Sequence, residues 1–194
     1  MARQIVIGLG YKKGSGKNTF AKFLGTHIRC SCNHLKVQEV SFAHKVKDLA
    51  FQLYGWAGIQ RPIYYETHYS DKEITLPQLG KSPRQIWIEI GNKMREIYQN
   101  TWIDYALNGV KGDIIIITDM GFLNEAKAIL FKHGYLIKIQ RSGIPTGSDP
   151  REVELDALQN GDWDDIISNN GSLDDLYASS LIIWNKINAK EKVC

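Results

Sequence analysis

The chain has few cysteines, little excess charge of either sign and no long apolar run, and each shortage removes a class of function. Three cysteines in 194 residues, Cys30, Cys32 and Cys194, make an odd count with no disulfide framework, so reduced thiols are expected. A formal net charge of +3 is too small to argue for nucleic acid as a partner, and lysine and arginine are spread along the chain with no basic tail. The opening "MARQIVIGLG" has one arginine and an apolar run shorter than a signal peptide's core or a membrane span. No membrane partner is expected, and the cytoplasm is the expected compartment. No internal repeat or low-complexity stretch occurs. The length suits one ordinary domain able to bury a core without staples.

"HIRCSCNH" gathers His27, Cys30, Cys32 and His34, all able to ligate zinc. The spacing C-x-C is not the C-x-x-C of common structural sites, and no second half follows. A helix end running into a turn is the preferred reading.

Alternation of element types is plain along the chain. "RQIVIGL" reads as a buried strand, followed by a glycine loop and a helix from Lys17 to about Ile28; "KVQEVSFA" is a second short strand and "HKVKDLAFQLYGW" a helix. The stretch 55–81, with Pro62, Pro77 and Gly80, reads as an irregular surface excursion. "SPRQIWIEIGNKMREIYQ" has Ser82 as cap, Pro83 in first position and Gln85 to complete a capping box. "NTWIDYALNG" is a shorter helix. "DIIIITD" leaves neither face polar, as in a central parallel strand covered on both sides. "FLNEAKAILFKHG" is a helix stopping at Gly134, "YLIKIQR" a strand, "REVELDALQ" helical, "DDIISNNG" a last strand, and "SLDDLYASSLIIWNKI" a closing helix capped by Ser172. This order predicts a three-layer α/β fold with a mostly parallel sheet, its ligands beyond the carboxyl ends of the strands.

One such end carries "LGYKKGSGKNTFAKFL". The phosphate-loop pattern is G-x-x-x-x-G-K-[ST]. Here Tyr11 stands where the first glycine belongs and Asn18 where the hydroxyl belongs. The strand–loop–lysine–helix context still predicts a nucleoside triphosphate cradle of backbone amides at a helix N-terminus. Gly14 and Gly16 let the main chain approach the anion, Lys17 reaches the β- and γ-phosphates, and Gly10 is expected to make the turn that suits Tyr11 badly. Asn18 offers a carbonyl oxygen to magnesium, and Thr19 keeps a hydroxyl one position late.

With these motifs in view, the chain resembles the bacteriophage-type deoxynucleoside monophosphate kinases, which have the P-loop kinase fold. Their loop G-x-K-x-R-x-G-K-D-T is rendered here as "GYKKGSGKNT". "SFAHKVKDLAFQLYG" is similar to the family's S-F-A-x-x-x-K segment, and "KSPRQIWIEIGNKMRE" with "TWIDYAL" to its T-P-R…G…R…W stretch. "TDMGFLNEA" stands where the family has D-x-R-F-x-N-E, and "ELDAL…DWDDIISNNGSLDDL" matches its carboxyl-terminal signature. Two departures matter: Asn18 for the family's aspartate and Gly121 for its arginine.

The resemblance implies a single P-loop kinase domain over 1–194, with a monophosphate-binding region at about 42–109 and a lid at about 141–155. It implies ATP and magnesium as cofactors, with transfer of a phosphoryl group to a deoxynucleoside monophosphate. Lys13, Gly14, Ser15, Gly16, Lys17, Asn18 and Thr19 would hold the triphosphate, with Asn18 and Asp119 toward the metal. Phe42, Lys47, Arg84, Gly91, Arg95, Trp102, Asp119, Asn124 and Glu125 would form the acceptor site. Lys17, Arg84, Arg141 and Arg151 would neutralise the transferring group. Association as a homodimer is left open.

The residues support this independently. Transfer onto an oxygen that is already anionic needs cations and N–H donors but no general base. Arg84, Ile88, Gly91 and Arg95 fall on one helical stripe, opposite an apolar side of Ile86, Ile90, Met94 and Ile97. At 1.5 Å per residue Arg84 and Arg95 lie about 16 Å apart along the axis, too far to grip one phosphate together. Gly91 costs such a helix about 1 kcal/mol against alanine, which close approach by a ligand or backbone would explain. Phe42 suits a stacked base or a core position equally. Two rivals stay open: another P-loop small-molecule kinase, for which Asp119 would be the base, and a nucleotide-binding protein without transfer activity.

Overall fold

Four isoleucines in a row set the centre of the sheet. In the computed structural model, which describes residues 3–144 and 153–194, Ile114, Ile115, Ile116 and Ile117 are all at most 1% exposed. The elements in chain order are β1 (Ile5–Gly10), α1 (Lys17–Ser31), β2 (Val37–Val40), α2 (His44–Tyr54), α3 (Tyr64–Thr67), α4 (Pro83–Ile97), α5 (Thr101–Asn108), β3 (Ile114–Met120), α6 (Leu123–Phe131), β4 (Tyr135–Gln140), β5 (Asp165–Ser168) and α7 (Leu173–Glu191). The five strands form one sheet in the order β2-β3-β1-β4-β5, and every neighbouring pair is parallel. The double burial of the isoleucine run follows, since a parallel sheet is covered on both faces. On one face Ile5, Ile7 and Leu9 of β1 pack with Phe20, Leu24 and Ile28 of α1 and Ile183, Trp184 and Ile187 of α7. On the other, Ile129 of α6 comes so close that a Cβ on Gly8 would stand 2.5 Å from its Cδ1.

Two compact units divide the chain. The sheet unit takes Met1–Ser41 and Gly109–Cys194, and the second unit takes Phe42–Asn108. The second unit is helical. Ala50 of α2 and Ile86 of α4 pack there with Ile59, against partly buried Phe51, Tyr54, Leu76, Leu79, Trp87 and Ile90. Helix α4 starts as its sequence predicts: Ser82 Oγ accepts from Gln85 N at 3.3 Å and Gln85 Oε1 accepts from Ser82 N at 2.8 Å. The same reciprocal arrangement of Ser172 and Asp175 opens α7. There the amide and hydroxyl of Ser172 hold the Asp175 carboxyl below its ordinary range.

Some expectations need correction. Residues 55–81 are not a bare surface excursion: they hold α3 and two single 3₁₀ turns, Gly55–Ala57 and Asp71–Glu73, and bury Ile59 and Tyr65. Short apolar anchors without a period leave no helical signature in sequence. Ile97, assigned to the apolar side of α4, is 79% exposed because the helix ends there. "REVELDALQ" shows a 3₁₀ turn, Leu155–Ala157, with Leu155 buried, while residues 151 and 152 lie outside the described residues.

The cysteines also behave differently. Cys32, buried at the end of α1, is joined to Cys194 by a disulfide across 162 positions, with Cα atoms 5.8 Å apart. Residues 192–194 turn back after α7, and α7 packs on α1, so packing rather than any sequence spacing pairs them. Cys30 is free and exposed. His27 is buried with Nε2 3.2 Å from the Tyr177 carbonyl. No helix among the described residues is long and apolar enough to cross a membrane.

A cross-link closing so long a loop restricts the unfolded chain and stabilises the fold by about 2–4 kcal/mol. Reduction is therefore expected to lower the melting temperature by about 5–15 °C. Thermal unfolding with and without dithiothreitol, with Cys194→Ser as the permanently reduced control, measures it. Identical melting curves would show that the two sulfurs do not cross-link in solution.

Candidate functional site

The loop after β1 turns left-handed three times in six residues, at Tyr11 (φ 100°), Gly14 (φ 80°) and Gly16 (φ 100°). Gly16 is the N-cap of α1, with no side chain capping the first turn and no acidic residue within it. The amides of that turn are therefore available to an anion, with the positive end of the helix dipole behind them. Lys17 folds back over the loop: its Nζ donates to the carbonyls of Tyr11 at 2.8 Å and Lys12 at 2.6 Å, and to Ser15 Oγ at 3.5 Å. Tyr11 itself makes the first turn, which corrects the expectation that Gly10 would. Gly10 ends β1 and is glycine for space, since a Cβ there would stand 2.7 Å from Trp163 Cη2. Ser15 is buried, Lys13 and Asn18 are exposed, and Thr19 is half-buried.

Asn169, just past β5, donates from Nδ2 to the Ser15 carbonyl at 2.9 Å, and the same amide occupies the place where a Gly16 Cβ would point. Gly16 is thus fixed as glycine by its dihedral and by its neighbour. Asn170 accepts from the Ser142 amide at 2.7 Å. Two adjacent asparagines therefore hold the phosphate loop and the start of the segment after β4. Ile144 of that segment brings its Cδ1 to 3.9 Å from the Cβ position of Gly14.

At the neighbouring strand end, β3 carries one extra residue: Gly8 pairs with Ile117, but Gly10 pairs with Met120. Bulges of this kind re-aim a side chain. Asp119 lies within it, and its Oδ2 accepts from Ser41 Oγ at 2.8 Å. Asn124, in the first turn of α6, is half-buried. Glu125 does not suit its expected acceptor role. It is 3% exposed, and its Oε2 accepts from the amides of Gly121 at 2.7 Å and Phe122 at 3.1 Å, which makes it the brace of the β3–α6 turn.

Lys138 of β4 pairs in register with Gly10 and is 9% exposed. Its Nζ lies 4.2 Å from the centroid of the Tyr11 ring and 5.8 Å from that of Trp163. Lys12 Nζ approaches the Tyr11 ring at 5.1 Å and Asp156 Oδ2 at 3.9 Å. Arg141, directly after β4, is exposed. Arg151 lies outside the described residues.

The remaining expected residues belong to the second unit. Arg84 Nη1 is 3.5 Å from Glu73 Oε1, with its side chain 21% exposed. Lys47 Nζ sits 5.5 Å from the centroid of the Trp87 ring. Gly91 is buried, and its carbonyl accepts from Trp102 Nε1 at 3.0 Å, while a Cβ on it would come 3.3 Å from Arg95 Nη1. The groups near this mid-helix glycine belong to the protein, and the nearest to a Cβ is the tip of a flexible side chain. Trp102 and Phe42, both 3% exposed, are core residues rather than ligand contacts. Their rings suit either role, and burial decides.

These donor sets fit a phosphorylated nucleotide and a hard cation. The loop offers a helix N-terminus with no side-chain cap and an ammonium, with Gly16 sterically confined to glycine. Asp119 offers one carboxylate, and magnesium carried on phosphates needs only one or two. Among the described residues no group of three or more His, Cys, Asp and Glu gathers as a metal cage.

A glycine loop and lysine after the first strand, on a parallel sheet ordered β2-β3-β1-β4-β5, decide the fold. It is the P-loop kinase fold. The chain is similar to the "Putative deoxynucleotide monophosphate kinase" of Acanthamoeba polyphaga mimivirus, 28% identical over 195 residues that cover 90% of this chain and 93% of that one. No protein-family model matches it. Among solved structures it is similar to an APS kinase of Mycobacterium tuberculosis, at 9% identity and TM-score 0.43 over 96% of this chain and 99% of that one. It is similar too to dephospho-CoA kinase from Campylobacter jejuni, at 16% identity and TM-score 0.41 over 98% and 99%.

Sequence reasoning missed Lys138 and Asn169. A lysine inside "YLIKIQ", otherwise a buried strand, was an available signal; "SNNG" offered none. The reassignment of Trp102 is testable. Trp102→Phe leaves the packing and removes the bond to the Gly91 carbonyl, so stability should fall by about 1 kcal/mol. The denaturant midpoint should drop with an unchanged slope; an unchanged midpoint would return Trp102 to the list of ligand contacts.

Proposed function

We propose that this P-loop kinase phosphorylates deoxynucleoside monophosphates, taking the γ-phosphoryl group of ATP and yielding the diphosphate and ADP. The observation that carries the reading is the loop from Tyr11 to Lys17, with its three left-handed turns and the Lys17 ammonium seated on its own carbonyls. The mimivirus relative's name supports the class of acceptor.

Each group then has a task. The amides at the start of α1 bind the β-phosphate oxygens, and Lys17 exchanges carbonyl partners for the β- and γ-phosphates. Asp119, steadied by Ser41, and the Asn18 carbonyl oxygen would hold magnesium, which would supply positive charge to the phosphates. Arg141 and Arg151 serve as lid cations on the transferring group. On the second unit Arg84, Lys47 and Arg95 receive the monophosphate. Arg84 exchanges Glu73 for phosphate, which a guanidinium can grip with two parallel bonds. Asn124 contacts the nucleoside. No residue need act as general base, because the attacking oxygen is already ionised.

Lys17→Ala is expected to abolish turnover, and Arg84→Ala to raise the monophosphate KM or cut kcat while leaving the ATP KM unchanged. A coupled assay over deoxy- and ribonucleoside monophosphates, with nucleosides as controls, tests the reading. Turnover with nucleosides and not with monophosphates would assign a hydroxyl acceptor; tight ATP binding without any diphosphate formed would assign a binding protein.

A further inference from the structure

The lysine on β4 has left water without finding an acceptor among the described residues. Lys138 is 9% exposed, and among the described residues its ammonium meets no carboxylate, carbonyl or hydroxyl. What it meets is the face of Tyr11 at 4.2 Å, with Trp163 further off at 5.8 Å. A desolvated ammonium over an aromatic face is held by the ring quadrupole, more firmly than at an exposed site.

Tyr11 has the complementary problem. It stands at the position of the pattern's first glycine and holds φ at 100°, a region that side chains rarely adopt and glycine enters freely. Such a conformation persists only where its surroundings over-determine it. Register supplies the connection: Lys138 pairs with Gly10, the residue before the turn, so the ammonium rises beside the place where the loop leaves the sheet. The turn in turn presents the Tyr11 and Lys12 carbonyls to Lys17.

We propose that Lys138 is a positioning residue for the phosphate loop: by binding the face of Tyr11 it fixes the left-handed turn that opens the loop, and so stands in for the missing glycine. The inference rests on the reading that this loop binds ATP. A loosened turn misplaces amides that grip the phosphates equally before and during transfer, so the loss falls on the ATP KM rather than on kcat.

Four variants test it by steady-state kinetics and by calorimetric titration with ATP, with melting temperatures confirming that each folds. Lys138→Met is expected to raise the ATP KM about tenfold with kcat within about twofold. Tyr11→Leu, which keeps a side chain at the turn and loses the ring, should do the same and does not depend on Lys138→Met folding. Tyr11→Gly, which alters the loop itself, supplies the reference for a turn that needs no brace, and its ATP KM should lie below that of Tyr11→Leu. The double variant Tyr11→Gly/Lys138→Met should behave as Tyr11→Gly, rescued from the lysine's loss. A double variant as impaired as Lys138→Met would put Lys138 on the phosphate itself and overturn the inference. So would a Lys138→Met enzyme with wild-type KM, or Tyr11→Leu and Tyr11→Gly behaving alike. A wild-type chain that binds no ATP overturns the functional reading and this inference together, which keeps the two failures apart.

Discussion

A main chain bent left-handed at Tyr11, Gly14 and Gly16 is the constraint on which the rest of the sheet unit depends. Such bends turn successive amides toward one concavity, a shape that binds anions whatever side chains surround it. At the two glycines the bend is nearly free; at Tyr11 it costs on the order of 1–3 kcal/mol. The surroundings are arranged to meet that cost. Lys17 holds the carbonyls of Tyr11 and Lys12, Asn169 holds that of Ser15, and two ammonium groups lie against the Tyr11 ring. The sheet order makes this feasible. With β1 central, β3 on one side delivers Asp119 and β4 on the other delivers Lys138, both at the end where the loop begins.

The second unit shows a different economy. Its helix α4 carries the two arginines expected to meet a phosphate, and both are engaged within the unit. Arg84 approaches Glu73, and Arg95 lies over Gly91. An arginine with a carboxylate nearby is not disqualified as a phosphate ligand. The pair is partly exposed, so the attraction lost on exchange is small and is replaced by a doubly charged acceptor. Gly91 keeps its backbone accessible to Trp102, whose indole bonds to the helix carbonyl and joins α5 to α4.

Where sequence and structure agree, the signal is local. The four isoleucines, the reciprocal caps at Ser82 and Ser172 and the glycine loop each declare themselves within a few residues, because periodicity, capping and left-handed turns are short-range physics. Where they part, the deciding contact spans the chain. Cys32 meets Cys194 across 162 positions, and Asn169 reaches Ser15 across 154. Phe42, Trp102 and Glu125 fail for another reason. Each residue type serves equally as core, cap or ligand contact, and only burial separates the roles. Lys138 is the case that periodicity marked without explaining: a charge inside an apolar strand signals a function but does not name its partner.

Two departures from the motif of the family that the chain resembles change its charge. Asn18 in place of aspartate removes one negative charge, and Gly121 in place of arginine removes one positive charge. Both leave in place the backbone at the start of α1, the Lys17 ammonium and the Asp119 carboxylate at the end of β3. Gly121 also takes a defined place: its amide donates to the Glu125 carboxylate that braces the β3–α6 turn, so the backbone there stays fixed without the arginine.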